Sequence, residues 1–249
     1  MSDLIRFRIK RQDGPDAAPY WDEFHLPYAP GHNVISALLV LRENPVNVRG
    51  ERVPPVAWES NCMEEVCGAC SMLVNGVPRQ ACAALIDELE QPIVLEPLTK
   101  FPVVRDLVVD RQKMFDALLK VKAWVPIDGS WDIHRHAPLF SPGEQSLQYL
   151  FSRCMTCGCC MEVCPQYHKD SRFIGPAPLG QARLHNEHPT GSYFKEERLH
   201  VLMEPGGIAD CGNAQNCVKV CPKDIPLTQA IGELGRQTTM QWLRDLFTK

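Results

Sequence analysis

The 249-residue sequence lacks the features of a membrane-spanning, exported or nucleic-acid-binding protein. It has no run of about 18 consecutive apolar residues, the length that a transmembrane helix needs. The longest convincing apolar stretch, Val34–Leu41, has eight residues and includes Ser36. The first ten residues alternate charged and apolar side chains, which is unlike a signal peptide. The formal net charge of −4 gives no basic stripe for nucleic acid. We expect no transmembrane segment, no export and no nucleic-acid partner.

The sequence also lacks a Gly-x-Gly-x-x-Gly motif after a strand, so we predict no dinucleotide site. Cysteine, by contrast, is abundant, with twelve residues. Disulfides are uncommon in proteins that are not exported, so clustered thiols indicate metal or redox chemistry. The cysteines form three groups, namely Cys62, Cys67, Cys70 and Cys82; Cys154, Cys157, Cys159, Cys160 and Cys164; and Cys211, Cys217 and Cys221.

The N-terminal part has the pattern of a small sheet crossed by one helix. Apolar residues alternate with charged ones from Ile5 to Ile9, which is typical of a half-buried strand. The other predicted elements are a strand at Tyr20–Leu26, a helix at Val34–Glu43 capped by Asn33, a hairpin around Asn75-Gly76 and a strand at Ile93–Leu95.

The C-terminal part is predicted to be helical. The expected helices are Leu107–Lys122, one from Ser141 toward Phe151, Pro176–Asn186, Lys195–Met203, and Pro226–Leu246 with a break near Gly235. The fold class that follows is α+β, with a sheet-based domain over residues 1–105 and an all-α domain over residues 106–249.

The first cysteine group has the spacing Cys-x4-Cys-x2-Cys, followed by Cys82. Four thiolates suit either zinc or an iron–sulfur cluster. Zinc sites favour paired Cys-x2-Cys units, whereas this spacing is that of plant-type [2Fe–2S] ferredoxins. We therefore predict a [2Fe–2S] cluster on Cys62, Cys67, Cys70 and Cys82.

The second group contains the bacterial ferredoxin run Cys-x2-Cys-x2-Cys-x3-Cys-Pro, and the third group repeats it with Ala214 in place of the second cysteine. In two-cluster ferredoxins the fourth cysteine of each run binds the other cluster. This rule predicts a [4Fe–4S] cluster on Cys154, Cys157, Cys160 and Cys221. It leaves three ligands for the other site, where we predict a [3Fe–4S] cluster on Cys164, Cys211 and Cys217.

Two positions keep alternative interpretations. Ala214 is also compatible with a [4Fe–4S] cluster in which water or hydroxide completes the coordination. Cys159 is left over by the assignment, and we interpret it as a small buried residue beside a cluster rather than as a ligand.

Together, the three motifs resemble the iron–sulfur subunit of the succinate dehydrogenase/fumarate reductase family. The resemblance rests on the segments 62–76, 154–165 and 211–222, with a further similar stretch at Phe173–Ala177. It implies a plant-type ferredoxin-like β-grasp domain followed by a bacterial ferredoxin-like helical domain. It also implies a subunit of a succinate:quinone oxidoreductase that has no substrate-oxidising site of its own.

The resemblance further implies the partners and the place of the chain. They are an FAD-containing flavoprotein subunit and a membrane anchor that carries haem b, with this chain peripheral on the cytoplasmic face of the bacterial inner membrane. Ubiquinone-reducing relatives carry tryptophan and histidine where this sequence has Lys169 and Gly212. The stretches 211–217 and 175–180 resemble the menaquinone-linked branch with a dihaem anchor.

Three other functions remain open at this point. A fumarate reductase subunit would run the same electron path in reverse. A subunit of another dehydrogenase, such as a glycolate-linked one, fits less well because of the plant-type motif at the N-terminus. A zinc-stabilised interaction protein would have no redox activity.

Overall fold

The structure is a computed structural model that describes residues 4–125 and 139–248. It contains two compact units. Unit 1 is Met1–Arg111 with Met155–Glu162, and unit 2 is Gln112–Cys154 with Val163–Lys249. The predicted boundary after residue 105 differs from this division, since unit 1 extends to Arg111 and includes an eight-residue segment of the second cysteine run. Within the described ranges, no helix is long and apolar enough to cross a membrane.

A five-stranded sheet forms the centre of unit 1. Its strands are β1 (Leu4–Arg11), β2 (Tyr20–Pro27), β3 (Ser71–Val74), β4 (Val77–Gln80) and β5 (Ile93–Glu96). The strand order is β2-β1-β5-β3-β4, in which only the β1–β5 pair is parallel. Short 3-10 turns at Ala81–Ala83 and Ile86–Glu88 follow β4. The strands predicted from alternation and from the Asn-Gly turn are confirmed.

Helix α1 (Val34–Glu43) packs on this sheet and begins as predicted. The Asn33 side chain accepts a hydrogen bond from the Ser36 N–H at 2.9 Å, and the Ser36 hydroxyl accepts one from the Asn33 N–H at 2.9 Å. This capping box satisfies two backbone donors at the helix N-terminus. The buried side chains of α1 and of the strands form one apolar core, which includes Ile5, Phe7, Ile9, Phe24, Ile35, Leu38, Leu41, Ile93 and Leu95.

The helix predicted over Leu107–Lys122 is wrong in its first part. Strands β6 (Val103–Arg105) and β7 (Val108–Val109) form a hairpin there, and helix α2 is confined to Gln112–Lys120. The cause is Asp106, which is fully buried and left-handed (φ 46°) and accepts a 2.8 Å hydrogen bond from Nε of Arg11. A buried ion pair is costly to break, so this distant contact overrides the local helical pattern.

Unit 2 consists mainly of helices. They are α2, α3 (Pro142–Ser152), α5 (Pro176–Glu187), α6 (Lys195–Met203), α7 (Asn216–Lys219) and α8 (Leu227–Phe247), with 3-10 turns at Gly191–Phe194 and Ile208–Asp210, whereas the short α4 (Cys159–Glu162) belongs to unit 1. Ser141 caps α3 as predicted, in a capping box with Glu144. Helix α5 contacts α3 and α8, and α8 also contacts α6.

Helix α8 runs without the break that was predicted near Gly235. Glycine weakens a helix by about 1 kcal/mol relative to alanine. That cost is offset because Ala230, Leu234 and Thr238 are buried on both sides of the glycine. The remaining predicted helices of unit 2, at residues 176–186 and 195–203, are confirmed.

Candidate cluster sites

The first cysteine group lies in unit 1, in the loop before β3 and in the 3-10 turn after β4. The backbone N–H groups of Glu64 and Val66 each lie 3.4 Å from Sγ of Cys62, and that of Ala69 lies 3.5 Å from Sγ of Cys67. Hydrogen bonds from the Glu64 and Val66 N–H groups lower the pKa of the Cys62 thiol to about 7. The loop therefore stabilises the thiolate, which is the form that binds metal.

The backbone of this loop is shaped to surround an anionic group. Met63, Glu65 and Gly68 all have positive φ angles, of 61°, 54° and 73°. Left-handed residues alternating with ordinary ones turn N–H groups toward one centre, as at many iron–sulfur sites. A Cβ atom on Gly68 would lie 2.6 Å from the carbonyl oxygen of Met155. Only glycine fits there, so the loop of the first group can pack closely against the segment 155–157.

The four thiols of the first group form two hydrogen-bonded pairs, Cys62 with Cys67 and Cys70 with Cys82. The second pair is buried, and burial raises the pKa of the Cys70 thiol to about 12. A [2Fe–2S] cluster needs two thiolates on each of its two irons. The paired arrangement fits that requirement.

The spacing of the sulfurs does not fit a single zinc ion. In residues 4–125 and 139–248, which include all twelve cysteines, no three cysteine sulfurs lie within 4.8 Å of one another. Thiolates on one tetrahedral zinc ion, with Zn–S bonds of about 2.3 Å, would be about 3.8 Å apart. Glu196, His200 and Asp245 do have ligand atoms within 4.8 Å of one another. In that group Nε2 of His200 lies 3.0 Å from a carboxylate oxygen of Asp245, near the surface.

The residues of the second cysteine group are divided between the units. Cys157, Cys159 and Cys160 lie in unit 1, whereas Cys154 and Cys164 lie in unit 2, as does Cys221. A hydrogen bond with the Cys159 thiol is the main cause that lowers the pKa of Cys157 to about 7. The Ile225 N–H lies 3.4 Å from Sγ of Cys221. Two of the four predicted [4Fe–4S] ligands thus have local support for a thiolate, and the grouping itself stays a prediction.

The three cysteines predicted for the last cluster line one cavity within unit 2. Cys164, Cys211 and Cys217 surround a space of about 370 Å³ that is partly open to solvent, and Ala214 also lines it. Burial, with the nearby Cys164 and Cys211, raises the pKa of the Cys217 thiol. The three thiols predicted for the last cluster thus share one cavity with the methyl group of Ala214.

The loop between Cys211 and Cys217 repeats the backbone pattern of the first loop. Asn213 and Gln215, on either side of Ala214, have positive φ angles of 52° and 61°. The Asn216 side chain donates to the carbonyl oxygen of Val163 at 3.2 Å, which joins this loop to the end of the second cysteine run. The residues present thus fit a cluster held by three thiolates.

Comparison with known proteins identifies the family. The succinate dehydrogenase iron–sulfur subunit of Bacillus subtilis is 58% identical over 243 residues, which cover 98% of this chain and 96% of that protein. The chain belongs to the succinate dehydrogenase iron–sulfur subunit family. The family expected from the cysteine motifs is thereby confirmed.

The other comparisons agree with this membership. A 2Fe-2S iron-sulfur cluster binding domain matches residues 6–116, and a 4Fe-4S dicluster domain matches residues 151–225. The fumarate reductase iron–sulfur subunit of Wolinella succinogenes is 26% identical and covers 95% of this chain and 98% of its own length. A chain of the Mycobacterium smegmatis Sdh1 complex in the apo form has the same fold, with a TM-score of 0.82, 20% identity and coverage of 97% and 98%.

Two residues that lie beside the predicted ligands, Arg111 and Gln80, were not identified from the sequence. Arg111 donates from Nη1 to the carbonyl oxygens of Gly68 at 2.8 Å and Cys157 at 3.5 Å. The Gln80 side chain is fully buried and lies 3.6 Å from the sulfurs of both Cys70 and Cys159. No local pattern marks either residue, because the partners are up to 79 positions away in the chain.

Proposed function

We propose that this chain carries electrons within a succinate:quinone oxidoreductase. In this proposal they pass from an FAD-containing flavoprotein subunit through a [2Fe–2S], a [4Fe–4S] and a [3Fe–4S] cluster to haem b and menaquinone in a membrane anchor. When bound, the clusters supply reversible one-electron transfer between a two-electron flavin and the quinone. The chain itself holds no substrate-oxidising site, and its place is the cytoplasmic face of the bacterial inner membrane.

The proposed ligands follow the three cysteine groups. Unit 1 is proposed to be a β-grasp domain that holds the [2Fe–2S] cluster on Cys62, Cys67, Cys70 and Cys82. The [4Fe–4S] ligands are Cys154, Cys157, Cys160 and Cys221, and the [3Fe–4S] ligands are Cys164, Cys211 and Cys217. Residues 1–111 and 112–249 are the approximate domains, with residues 155–162 packed in the first.

The observation that carries the proposal is the cavity in which Cys164, Cys211 and Cys217 meet Ala214. Three thiolates with a methyl group at the fourth position match a cluster that lacks one iron. Such a cluster has no role in a structural zinc protein. In the proposed order it is the last carrier before an external acceptor, and its potential is set by cluster type, hydrogen bonds and burial.

The side chains and backbone have three tasks in this mechanism. The N–H groups directed at Cys62 stabilise negative charge on sulfur. The buried Cys70 and Cys82 exclude water from one side of the first site. Arg111, which is largely buried, holds a positive charge beside the loops of Gly68 and Cys157. The N–H groups and the Arg111 charge stabilise added electron density without moving a group during transfer.

Succinate oxidation is the proposed direction. The relative at 58% identity is a succinate dehydrogenase subunit, whereas the fumarate reductase subunits of Escherichia coli and Wolinella succinogenes are 30% and 26% identical. Direction depends on cluster potentials and on the quinone, so fumarate reduction is the alternative that the same experiment addresses.

The test is a redox titration of the purified complex followed by electron paramagnetic resonance (EPR), with iron analysis. We expect about nine iron atoms per chain, a three-iron signal in the oxidised sample and co-purification of a flavoprotein and a haem-containing anchor. A colourless protein would support zinc instead. About ten iron atoms without a three-iron signal would contradict the assignment of the last site. A last cluster with a potential well above that of menaquinone would favour fumarate reduction, because menaquinol could then reduce it.

A further inference from the structure

Cys159 is the cysteine that the cluster assignment leaves without a role. It begins α4, between the proposed ligands Cys157 and Cys160, and it is fully buried. Its thiol forms a hydrogen bond with Cys157 in the interior of unit 1.

The side chain that reaches Cys159 is Gln80, the last residue of β4. Ser71 and Gln80 are directly paired in the β3–β4 ladder, and the Gln80 side chain is fully buried. Nε2 of Gln80 lies 2.8 Å from Oγ of Ser71 and 3.6 Å from Sγ of Cys159. The Ser71 hydroxyl donates to the carbonyl oxygen of Gly68 at 2.9 Å, so its oxygen is available to accept from the amide.

The other end of the Gln80 amide faces Cys70. Sγ of Cys70 donates to Oε1 of Gln80 at 3.6 Å. As an iron ligand Cys70 is a thiolate, which can only accept. The Ser71 hydroxyl and the Cys159 thiol can each donate or accept. When the NH₂ end of the amide faces the Cys70 sulfur, the Ser71 hydroxyl can turn from the Gly68 carbonyl, and the Cys159 S–H can turn from Cys157, to donate to the amide oxygen. The Gly68 carbonyl keeps the hydrogen bond from Arg111.

We propose that Gln80 is a positioning residue that donates a hydrogen bond to the iron-bound Cys70 sulfur, and that Cys159 holds the Gln80 amide in place from the opposite side. Hydrogen bonds to cluster sulfurs stabilise the reduced state and raise the reduction potential. The amide lies in a buried, low-dielectric environment, where such a bond is stronger than in water. Cys159 would thus tune the first cluster although it binds no iron. This inference rests on the proposed assignment of Cys70 to the [2Fe–2S] cluster.

The test is an EPR-monitored redox titration of the intact complex carrying Gln80→Met, Cys159→Ala or Cys159→Ser. Gln80→Met keeps the length of the side chain and removes the donor, so the midpoint potential of the [2Fe–2S] cluster should fall and its EPR line shape should change. Cys159→Ala should shift the potential in the same direction by less. Cys159→Ser should have a midpoint potential close to that of the wild type, because a hydroxyl, like a thiol, both donates and accepts.

Met161→Leu is the matched control, since Met161 is fully buried two residues from Cys159 and lacks a polar group. It should leave the potential unchanged. If the Gln80→Met complex fails to assemble, the potentials of the two Cys159 variants test the inference. If the [2Fe–2S] signal is present and its potential is the same in the wild-type and all variant complexes, the inference is wrong. Absence of that signal from the wild-type complex would instead contradict the proposed function.

Discussion

Nη1 of Arg111 donates a hydrogen bond to the carbonyl oxygen of Gly68 at 2.8 Å. The same guanidinium forms a 2.9 Å ion pair with Glu59 and is one of the groups that lower the pKa of Cys157. A single cation thus supports the loop of the first cysteine group and acts on the second. Its side chain is only 14% exposed, so solvent screens this charge weakly.

Arg111→Met should therefore lower the reduction potential of the [2Fe–2S] cluster and reduce its occupancy, because it removes a positive charge and donors to the Gly68 and Ala69 carbonyls. Hydrogen bonds from a charged group are worth about 1.5–3 kcal/mol each in stability. Arg111→Lys keeps the charge but lacks the planar guanidinium. In this variant the potential of the [2Fe–2S] cluster should stay close to that of the wild type, whereas the cluster occupancy should be lower. Redox titration with iron analysis measures both. Unchanged potentials in Arg111→Met would refute an electrostatic role.

Ala214→Cys should convert the last site toward a [4Fe–4S] cluster, because it supplies a fourth thiolate in a cavity already lined by three. We expect the iron content to rise to about ten atoms per chain, the three-iron signal to disappear, and electron transfer to quinone to slow by about tenfold or more as the potential falls. Ala214→Ser is the control of similar size and should keep the three-iron signal. Persistence of that signal in Ala214→Cys would show that position 214 does not face the missing corner.

Asp106→Asn should destabilise unit 1 strongly. The Asp106 carboxylate accepts from Nε of Arg11 at 2.8 Å and from the Ala57 N–H at 2.8 Å, and both charged side chains are buried. Breaking a buried ion pair costs about 3–5 kcal/mol, and Asp22, 3.7 Å from Arg11, compensates only in part. Thermal loss of the visible circular dichroism of the clusters reports the effect.

The control for this prediction is Glu23→Gln, which removes an exposed carboxylate 4.0 Å from Arg8. Exposed pairs contribute about 0–1 kcal/mol, so this variant should behave like the wild type. Equal losses in the two variants would contradict the role of Asp106 as a buried partner.

His185 should make stability depend on pH below neutrality. Burial, with the positive charge of Arg198, lowers the pKa of His185 to about 4 in the folded chain. In the unfolded chain the pKa of His185 is near 6.5, so as the pH falls His185 is protonated in the unfolded chain before it is protonated in the folded one. The contribution of His185 is therefore fully present above about pH 6.5 and is lost progressively down to about pH 4.

The measurement is the difference in thermal stability between pH 7 and pH 5 for the wild type and for His185→Gln. The variant should lose less stability than the wild type, because its amide does not titrate. The surface variant His25→Gln serves as the control, since His25 is exposed on β2. An identical pH dependence in His185→Gln and the wild type would exclude His185 as the group responsible.

Patterns in short stretches of sequence correctly predicted the helices, strands and turns that are stabilised by neighbouring residues. The alternation of β1, the Asn33 cap and the Asn75-Gly76 turn depend on neighbouring residues, and the structure has each element where it was predicted. Prediction failed at Leu107 and at Gly235. Near Leu107 the buried contact between Asp106 and Arg11 stabilises a hairpin instead of a helix. Near Gly235 the buried side chains along α8 stabilise a continuous helix. In both places tertiary burial outweighs a propensity of about 1 kcal/mol.

The cysteine motifs and Ala214 could be recognised from the sequence, because ligand type and spacing are local properties of short segments. The groups that lie beside those cysteines could be found only from the folded chain. Arg111, Gln80 and Cys159 act across gaps of tens of residues, and hydrogen bonds between such groups form only where folding has brought them together and excluded water.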